Sequence, residues 1–312
     1  MKLKSLVPKK WLEKCEQEKG FGPLSKQFIA TEEEFNSEGL FDPIGDQNHK
    51  VCDGLIHRYK NRVLFLPTNK CPVACRYCFR KHEIEEDEKL FLPDINEVIL
   101  YLKENPQVEE IIFSGGDPFS LSNEKIQFYL DQFQSLEHIK WIRFHTRFPT
   151  MIPARFNKEL IEILEKANKH YQGISIVLHI NHWDEWDIEV EHIIKKIQAI
   201  GCRLLSQSVL LKGINDNVDD LKVLFQGLVQ KDIRPYYLHH PDLIKGGGHF
   251  YVSLDQGRKL YHELRDLLPG WAIPQYIIDI PHGYGKIPAS NADQNQFQGE
   301  LVDKNGKVHL YP

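Results

Sequence analysis

The chain has 312 residues with 39 Lys+Arg against 44 Asp+Glu, a formal net charge of −5, and a pI near 6.3; this balance excludes a nucleic-acid-coating protein or a polybasic membrane binder. Apolar residues make up 41%, or about 47% once the 20 glycines are added, which excludes disorder as its main character. With a mean hydropathy of −0.42 and no run of roughly 18 uncharged apolar residues, no membrane-spanning helix is expected.

Residues 1–60 read as a mixed, mostly helical lead-in containing Trp11 and a turn near Asp42 to Gly45. The opening MKLKSLVPKKWLEKCEQEKG has lysines but no apolar stretch of secretory-signal length, so a cytoplasmic protein is expected. From residue 63 onward, short runs rich in β-branched and aromatic residues alternate with segments of helical period. The expected strands are Val63–Pro67, Glu110–Phe113, Trp141–His145, Ile174–Ile180, Arg203–Leu211 and Ile233–His239. The expected helices lie around Ile95–Glu104, Asn123–Gln134, Asn157–Asn168, Ile188–Ile200, Val218–Gln230 and Leu254–Leu268. Six β-then-α units predict an α/β fold with a parallel sheet curled into a partial or complete (β/α) barrel over residues 61–268. A doubly wound open sheet is the competing architecture. The barrel is favoured because polar residues gather where strands end, after Thr68, at Ser114 to Pro118, His145 to Arg147, His179 to His182, Gln207 and His239 to Asp242. Residues 269–312, with Pro274, Pro281, Pro288 and several glycines, read as an ordered loop or short-strand segment packed on the barrel.

Six cysteines are too few for a disulfide scaffold, and three fall within eight positions: Cys71, Cys75 and Cys78. This CxxxCxxC directly follows the first barrel strand. Structural zinc wants a fourth protein ligand, which no nearby cysteine supplies. Three thiolates suit a [4Fe–4S] cluster with one iron left open to the amino and carboxylate groups of a small molecule. A zinc loop completed by a distant His57 or His82 stays open at this point. Cys15, Cys52 and Cys202 are scattered and read as buried small apolar side chains. A second signal is Phe113-Ser-Gly-Gly-Asp117-Pro118, where Gly115 and Gly116 let the backbone approach a ligand closely. Alone, it equally describes a strand-exit turn with an Asp cap.

CxxxCxxC after strand one followed by SGGDP after strand two resembles the radical S-adenosylmethionine enzymes, specifically the lysine 2,3-aminomutase family. HRYKNRVLF (57–65), HTRFPTMIPARF (145–156), LHINHWDE (178–185), QSVLLKGINDN (207–217) and PDLIKGGGHF (241–250) agree with it, so that the resemblance runs from about residue 40 to 290. The nearest subgroup is the short aminomutase that prepares β-lysine for attachment to elongation factor P. The resemblance implies a [4Fe–4S] cluster, S-adenosylmethionine, and pyridoxal phosphate held as an imine on Lys286 of HGYGKIP. It implies that Arg58, Tyr59 and Arg62 hold that cofactor's phosphate and ring, and that Arg80 clamps the substrate α-carboxylate. Asp242 and Asp279 would receive the distal ammonium of lysine, a carboxylate pair that rejects an acidic side chain. His179 and Gln207, with Gly115 and Gly116, would contact S-adenosylmethionine. Without the resemblance, Lys286 is a surface-loop lysine, Arg58 and Arg62 a solvated face, and either aspartate a cap or turn residue.

The implied reaction moves nitrogen from Cα to Cβ of lysine after a 5′-deoxyadenosyl radical removes hydrogen from Cβ, with an electron donor such as flavodoxin or ferredoxin. Neither a nucleic-acid nor a membrane partner is implied, and a homo-oligomer is possible. Longer members bind zinc between subunits through C-terminal cysteines; no cysteine follows Cys202, so that zinc is not expected here. His282 and Tyr284 among the glycines depart from the family's form and bear on cofactor access. A radical aminomutase acting on another amino acid, and a non-catalytic iron–sulfur or zinc protein, are the alternatives.

Overall fold

Successive strand side chains point to opposite sheet faces, so one face packs on helices while the other lines a cavity. The computed structural model describes residues 5–35, 38–86, 90–290, 300–303 and 305–311. Two helices, α1 (Lys9–Gln17) and α2 (Pro23–Phe28), lead into β1 (Lys50–Cys52), β2 (Leu55–Tyr59) and β3 (Arg62–Phe65). Then follow α3 (Lys81–Glu86), α4 (Ile95–Glu104), β4 (Glu110–Phe113), α5 (Asn123–Gln134), β5 (Trp141–Thr146), the single-turn α6 (Phe148–Met151), α7 (Lys158–His170) and β6 (Gly173–His179). The chain continues through α8 (Ile188–Ala199), β7 (Arg203–Val209), α9 (Val218–Gln230), β8 (Arg234–His239), α10 (Leu254–Leu267), β9 (Gln275–Ile280) and β10 (Gly285–Pro288). A separate antiparallel pair, β11 (Glu300–Val302) and β12 (Val308–Leu310), comes last.

Strands β1 to β10 form one sheet in chain order, with β3 to β9 mutually parallel and β1, β2 and β10 added antiparallel at its margins. A doubly wound sheet reverses its strand order at a switch point. Here the order never reverses and β1 does not pair with β10, so the sheet is a partial barrel of six β/α units closed off by a further parallel strand. Asp94, Ser122, Asn157, Asp187, Asn217 and Ser253 start six of the helices, each side chain accepting a backbone N–H of the first turn. The outward strand face is aromatic and aliphatic: Phe65 meets Phe113 and, on α5, Tyr129 and Phe133 edge to face, and Phe113 stacks on Phe144. The inward face carries Arg143, His145, His179, Gln207, His239 and Asp279.

Two differences from the sequence reading concern the flanks. The end of the mostly helical lead-in forms strands β1 and β2, and the segment after residue 268 supplies β9 and β10 to the same sheet. Pro274 and Pro281 bound β9 instead of breaking it, and its QYIIDI run is buried on both faces apart from Gln275, as expected of a parallel strand. The helical part of the lead-in braces the cysteine loop. Trp11, Leu24 and Phe28 pack on Val73 and Met151, while Ala74 N donates to Leu6 O (2.8 Å) and Arg76 N to Gln27 O (2.9 Å). Cys15 and Cys202 are buried and Cys52 half-buried. Among the described residues no helix is long and apolar enough to cross a membrane.

Candidate functional site

The cysteine loop leaves β3 and is stitched to the exit of β4. Gly116 N donates to Thr68 O (2.8 Å) and Asp117 N to Lys70 O (2.7 Å). Gly115 has φ +111°, and a Cβ there would lie 2.5 Å from Thr68 O; at Gly116 it would lie 2.3 Å from Lys70 O. The glycines were expected to admit a ligand. They line the cavity, but the close approach that requires them is backbone on backbone, between this turn and the cysteine loop. Asp117 braces the same turn, accepting from Phe119 N (3.1 Å), Thr146 Oγ1 (2.9 Å) and Arg147 N (2.7 Å).

Cys71, Cys75 and Cys78 are half-buried on the cavity wall. Burial pushes the thiols of Cys71 and Cys78 up, Cys78 to about 12, so a metal must displace their protons before they act as ligands. Among the described residues no three His, Cys, Asp or Glu side chains converge on a single-ion position. His57 Nδ1 is engaged with the Tyr101 hydroxyl (2.6 Å) and His82 Nε2 with Lys245 O (3.0 Å), and neither lines the cavity. The donor set therefore misfits one zinc ion and fits a cluster, in which each sulfur binds a different iron.

The same cavity holds a knot of three acids and three bases. The β9–β10 hairpin pairs Lys286 with Asp279 in register, and Lys286 Nζ donates to Asp279 Oδ2. Lys286 N donates to the Tyr59 hydroxyl (2.9 Å). Asp279 Oδ1 accepts no hydrogen bond and faces Arg58 Nη1 at 3.5 Å. Burial acts to raise Asp279, but Lys286, His239 and Arg58 outweigh it and hold the carboxyl below its usual range. Asp242 has the opposite balance: burial first, then the charge of Asp279, push it up to about 7.

Asp46, which sequence reasoning missed, is the third acid. It is 2% exposed. Its Oδ1 accepts from Arg58 Nη2 (2.8 Å), and its Oδ2 from Arg80 Nε (3.0 Å) and Nη2 (2.6 Å). Arg80 Nη1 donates to Ser114 Oγ (3.3 Å), and the guanidinium sits 4.6 Å from the Phe79 ring centre. Nε and Nη2 of Arg80 are thus taken by Asp46, and Nη1 by Ser114. The Arg62 guanidinium lies 4.0 Å from the Tyr59 ring centre.

His179 and Gln207 are register partners on β6 and β7, and His179 Nε2 is hydrogen-bonded to the Tyr77 hydroxyl (2.7 Å). Burial, then Arg147, keeps His179 well below its ordinary value. His145 and His239 also face the cavity and are held neutral by burial above all, His239 down to about 3 with help from Lys286. His239, read with the structural histidines, is a wall residue. Every residue singled out in the sequence (Arg58, Tyr59, Arg62, the three cysteines, Arg80, Gly115, Gly116, His179, Gln207, Asp242, Asp279 and Lys286) lines this one cavity. Two pairings were unforeseen: Asp279, expected to meet a substrate ammonium, holds the ammonium of Lys286, and Arg80 shares Asp46 with Arg58.

Residues 65–224 match the model of the radical SAM superfamily. The chain is 35% identical over 284 residues to L-lysine 2,3-aminomutase of Escherichia coli (strain K12), covering 90% of this chain and 82% of that protein. It is 36% identical over 283 residues to L-lysine 2,3-aminomutase of Buchnera aphidicola subsp. Baizongia pistaciae, again covering 90% and 82%. Against L-lysine 2,3-aminomutase of Bacillus subtilis (strain 168) it is 34% identical over 297 residues, spanning 62% of that longer protein. Among solved structures, Streptococcus suis SuiB bound to S-adenosylmethionine superposes with a TM-score of 0.53 at 16% identity, a likeness of fold. It covers 74% of this chain, which spans about half (52%) of SuiB.

Proposed function

The chain belongs to the lysine 2,3-aminomutase family of radical S-adenosylmethionine enzymes, and from that premise we propose that it converts L-lysine to β-lysine, with the cluster on Cys71, Cys75 and Cys78 and pyridoxal phosphate on Lys286. When bound, the cluster and S-adenosylmethionine supply a hydrogen-abstracting radical, and pyridoxal phosphate supplies a π system beside the migrating nitrogen. The observation that carries the substrate assignment is the contact of Lys286 Nζ with Asp279. A lysine ammonium is the group this carboxylate already accepts inside the cavity.

The charges of the wall support the same reading. Asp46 is balanced by Arg58 and Arg80, and the neighbouring imidazoles of His145 and His239 are neutral. That leaves Asp242 and Asp279 to face a cation once Lys286 is engaged by the cofactor, while an acidic side chain there would meet two carboxylates in a poorly solvated site. Arg80, oriented by Asp46, would take the α-carboxylate of the substrate. Arg58, Tyr59 and Arg62, next to the Lys286 hairpin, would hold the cofactor's phosphate and ring. His179, Gln207 and the Gly115–Gly116 turn border the cysteines, where S-adenosylmethionine would lie. Three unpaired thiols suit a reducing compartment such as the cytoplasm, with a low-potential flavodoxin or ferredoxin as electron donor. Resemblance to the short members supports use of the product in modifying elongation factor P, which loss of that modification in cells lacking this chain would test.

The deciding experiment is anaerobic reconstitution with iron, sulfide, pyridoxal phosphate, S-adenosylmethionine, dithionite and L-lysine, with mass spectrometry of the products. β-Lysine that disappears in Cys78→Ala and Lys286→Ala supports the proposal. 5′-Deoxyadenosine without β-lysine would point to another amino acid. Asp279→Asn should lower kcat/KM for lysine by about 2–4 kcal/mol, roughly 30- to 1,000-fold, because it removes one partner of a buried ion pair; an unchanged value would reject the ammonium assignment.

A further inference from the structure

We propose that Arg147 sets the reduction potential of the cluster through the sulfur of Cys75, with Glu185 as its fixed counter-charge. The inference rests on the assignment of Cys75 as a cluster ligand. Arg147 follows β5 directly and is 5% exposed. Its Nη1 donates to Cys75 Sγ (3.0 Å) and to the Tyr77 hydroxyl. Its Nη2 donates to Glu185 Oε2 (2.6 Å) and Gln27 Oε1 (2.7 Å), and its backbone N to Asp117 Oδ2 (2.7 Å). The cation is therefore held from behind by α2, by the β4 exit and by the loop after β6, with one arm aimed at the sulfur. Glu185 is fully buried, and its Oε1 accepts from Asn181 N (2.9 Å) and His182 N (3.1 Å), so it cannot swing away.

The contact with a ligand sulfur bears directly on electron transfer to the cluster. Reduction adds one electron, and the added negative charge spreads onto the ligand sulfurs. A hydrogen bond and a fixed positive charge at one of those sulfurs favour the reduced form, and burial keeps water from screening the effect. Glu185 opposes it. The two residues consequently have effects of opposite sign, which a purely structural role would not give.

The test uses the full chain, reconstituted with iron and sulfide, and reads the midpoint potential by dithionite titration monitored by electron paramagnetic resonance. Arg147→Gln should shift the reduction equilibrium at least tenfold toward the oxidised cluster, which is 59 mV more negative for a one-electron couple. Glu185→Gln should shift it in the positive direction, and Arg147→Lys, which keeps the charge, should recover part of the loss. Both variants at the wild-type midpoint, or both displaced the same way, would overturn the inference. If Arg147→Gln takes up no iron, Glu185→Gln decides alone, a positive shift supporting the inference and none or a negative one refuting it. A cluster that survives Cys75→Ala would reject the ligand assignment itself, and the inference with it, whatever the potentials of the other variants.

Discussion

Asp46→Asn is the most informative single substitution because it removes charge without volume. The native carboxylate is 2% exposed and accepts three hydrogen bonds from two guanidiniums, at 2.8 Å from Arg58 and at 3.0 and 2.6 Å from Arg80. Asparagine leaves two buried cations facing each other with an amide oxygen in place of the counter-charge. Removing one partner of a buried ion pair costs about 3–5 kcal/mol. Arg58 retains a second carboxylate, Asp279 at 3.5 Å, so Arg80 bears most of the cost, and the lower half of that range is expected. An unfolding entropy of about 2.1 cal/mol/K per residue makes 1 kcal/mol worth about 1.5 °C in a chain of this length, which predicts a fall in Tm of about 5–6 °C. Calorimetry on the purified variant measures this, with Asp46→Glu as the charge-retaining comparison. A Tm within 1 °C of wild type, a change well below the roughly 5 °C expected, would refute the view that Asp46 is the counter-charge organising the arginine pair.

Three further outcomes follow from the geometry. Gly116→Ala puts a Cβ 2.3 Å from the Lys70 carbonyl oxygen, so it should displace the cysteine loop and lower the iron content after reconstitution; full iron loading would show that the turn tolerates the shift. Asp242 is held near 7 by burial and by Asp279, and an arriving ammonium favours its ionised form. Lysine binding near pH 7 should therefore release a proton, seen in calorimetry as heat that varies with buffer ionisation enthalpy, and proton uptake would contradict the assignment. His239 is neutral in the fold, down to about 3 through burial and Lys286, while in the unfolded chain it titrates near its ordinary value of about 6.5. The unfolded state therefore binds more protons between those values, and stability should fall as pH drops through about 6.5 and keep falling toward about 3. His239→Gln should flatten that decline in a Tm series from about pH 7.5 to about pH 5, and an unaltered slope would remove His239 from the account.

Much of the architecture was legible because it rests on short-range rules. Residues 110–113, 95–104, 123–134 and 218–230 were bounded in the sequence as they stand in the structure, since each helix there follows a side chain able to cap its first turn and each strand ends in a polar or glycine run. Residues 269–312 read as a loop or short strands with no bounds for β9, because a strand buried on both sides has no alternation and its flanking prolines resemble loop signals. The site residues were legible from motif positions within local segments, and the resemblance supplied roles that isolated arginines and aspartates do not declare.

That three thiols share one loop, that glycines follow the second barrel strand, and that β and α segments alternate six times can all be read along the chain. These depend on spacing along the chain, which folding cannot alter. It took the folded barrel to show that Asp46 joins Arg58 to Arg80, that Lys286 rests on Asp279, and that Arg147 reaches Cys75 from 72 residues away. A charged side chain looks the same in a sequence whether it will be solvated or buried. Its partner is fixed by which strand face points inward and by how far the sheet curls, and both are properties of the whole barrel.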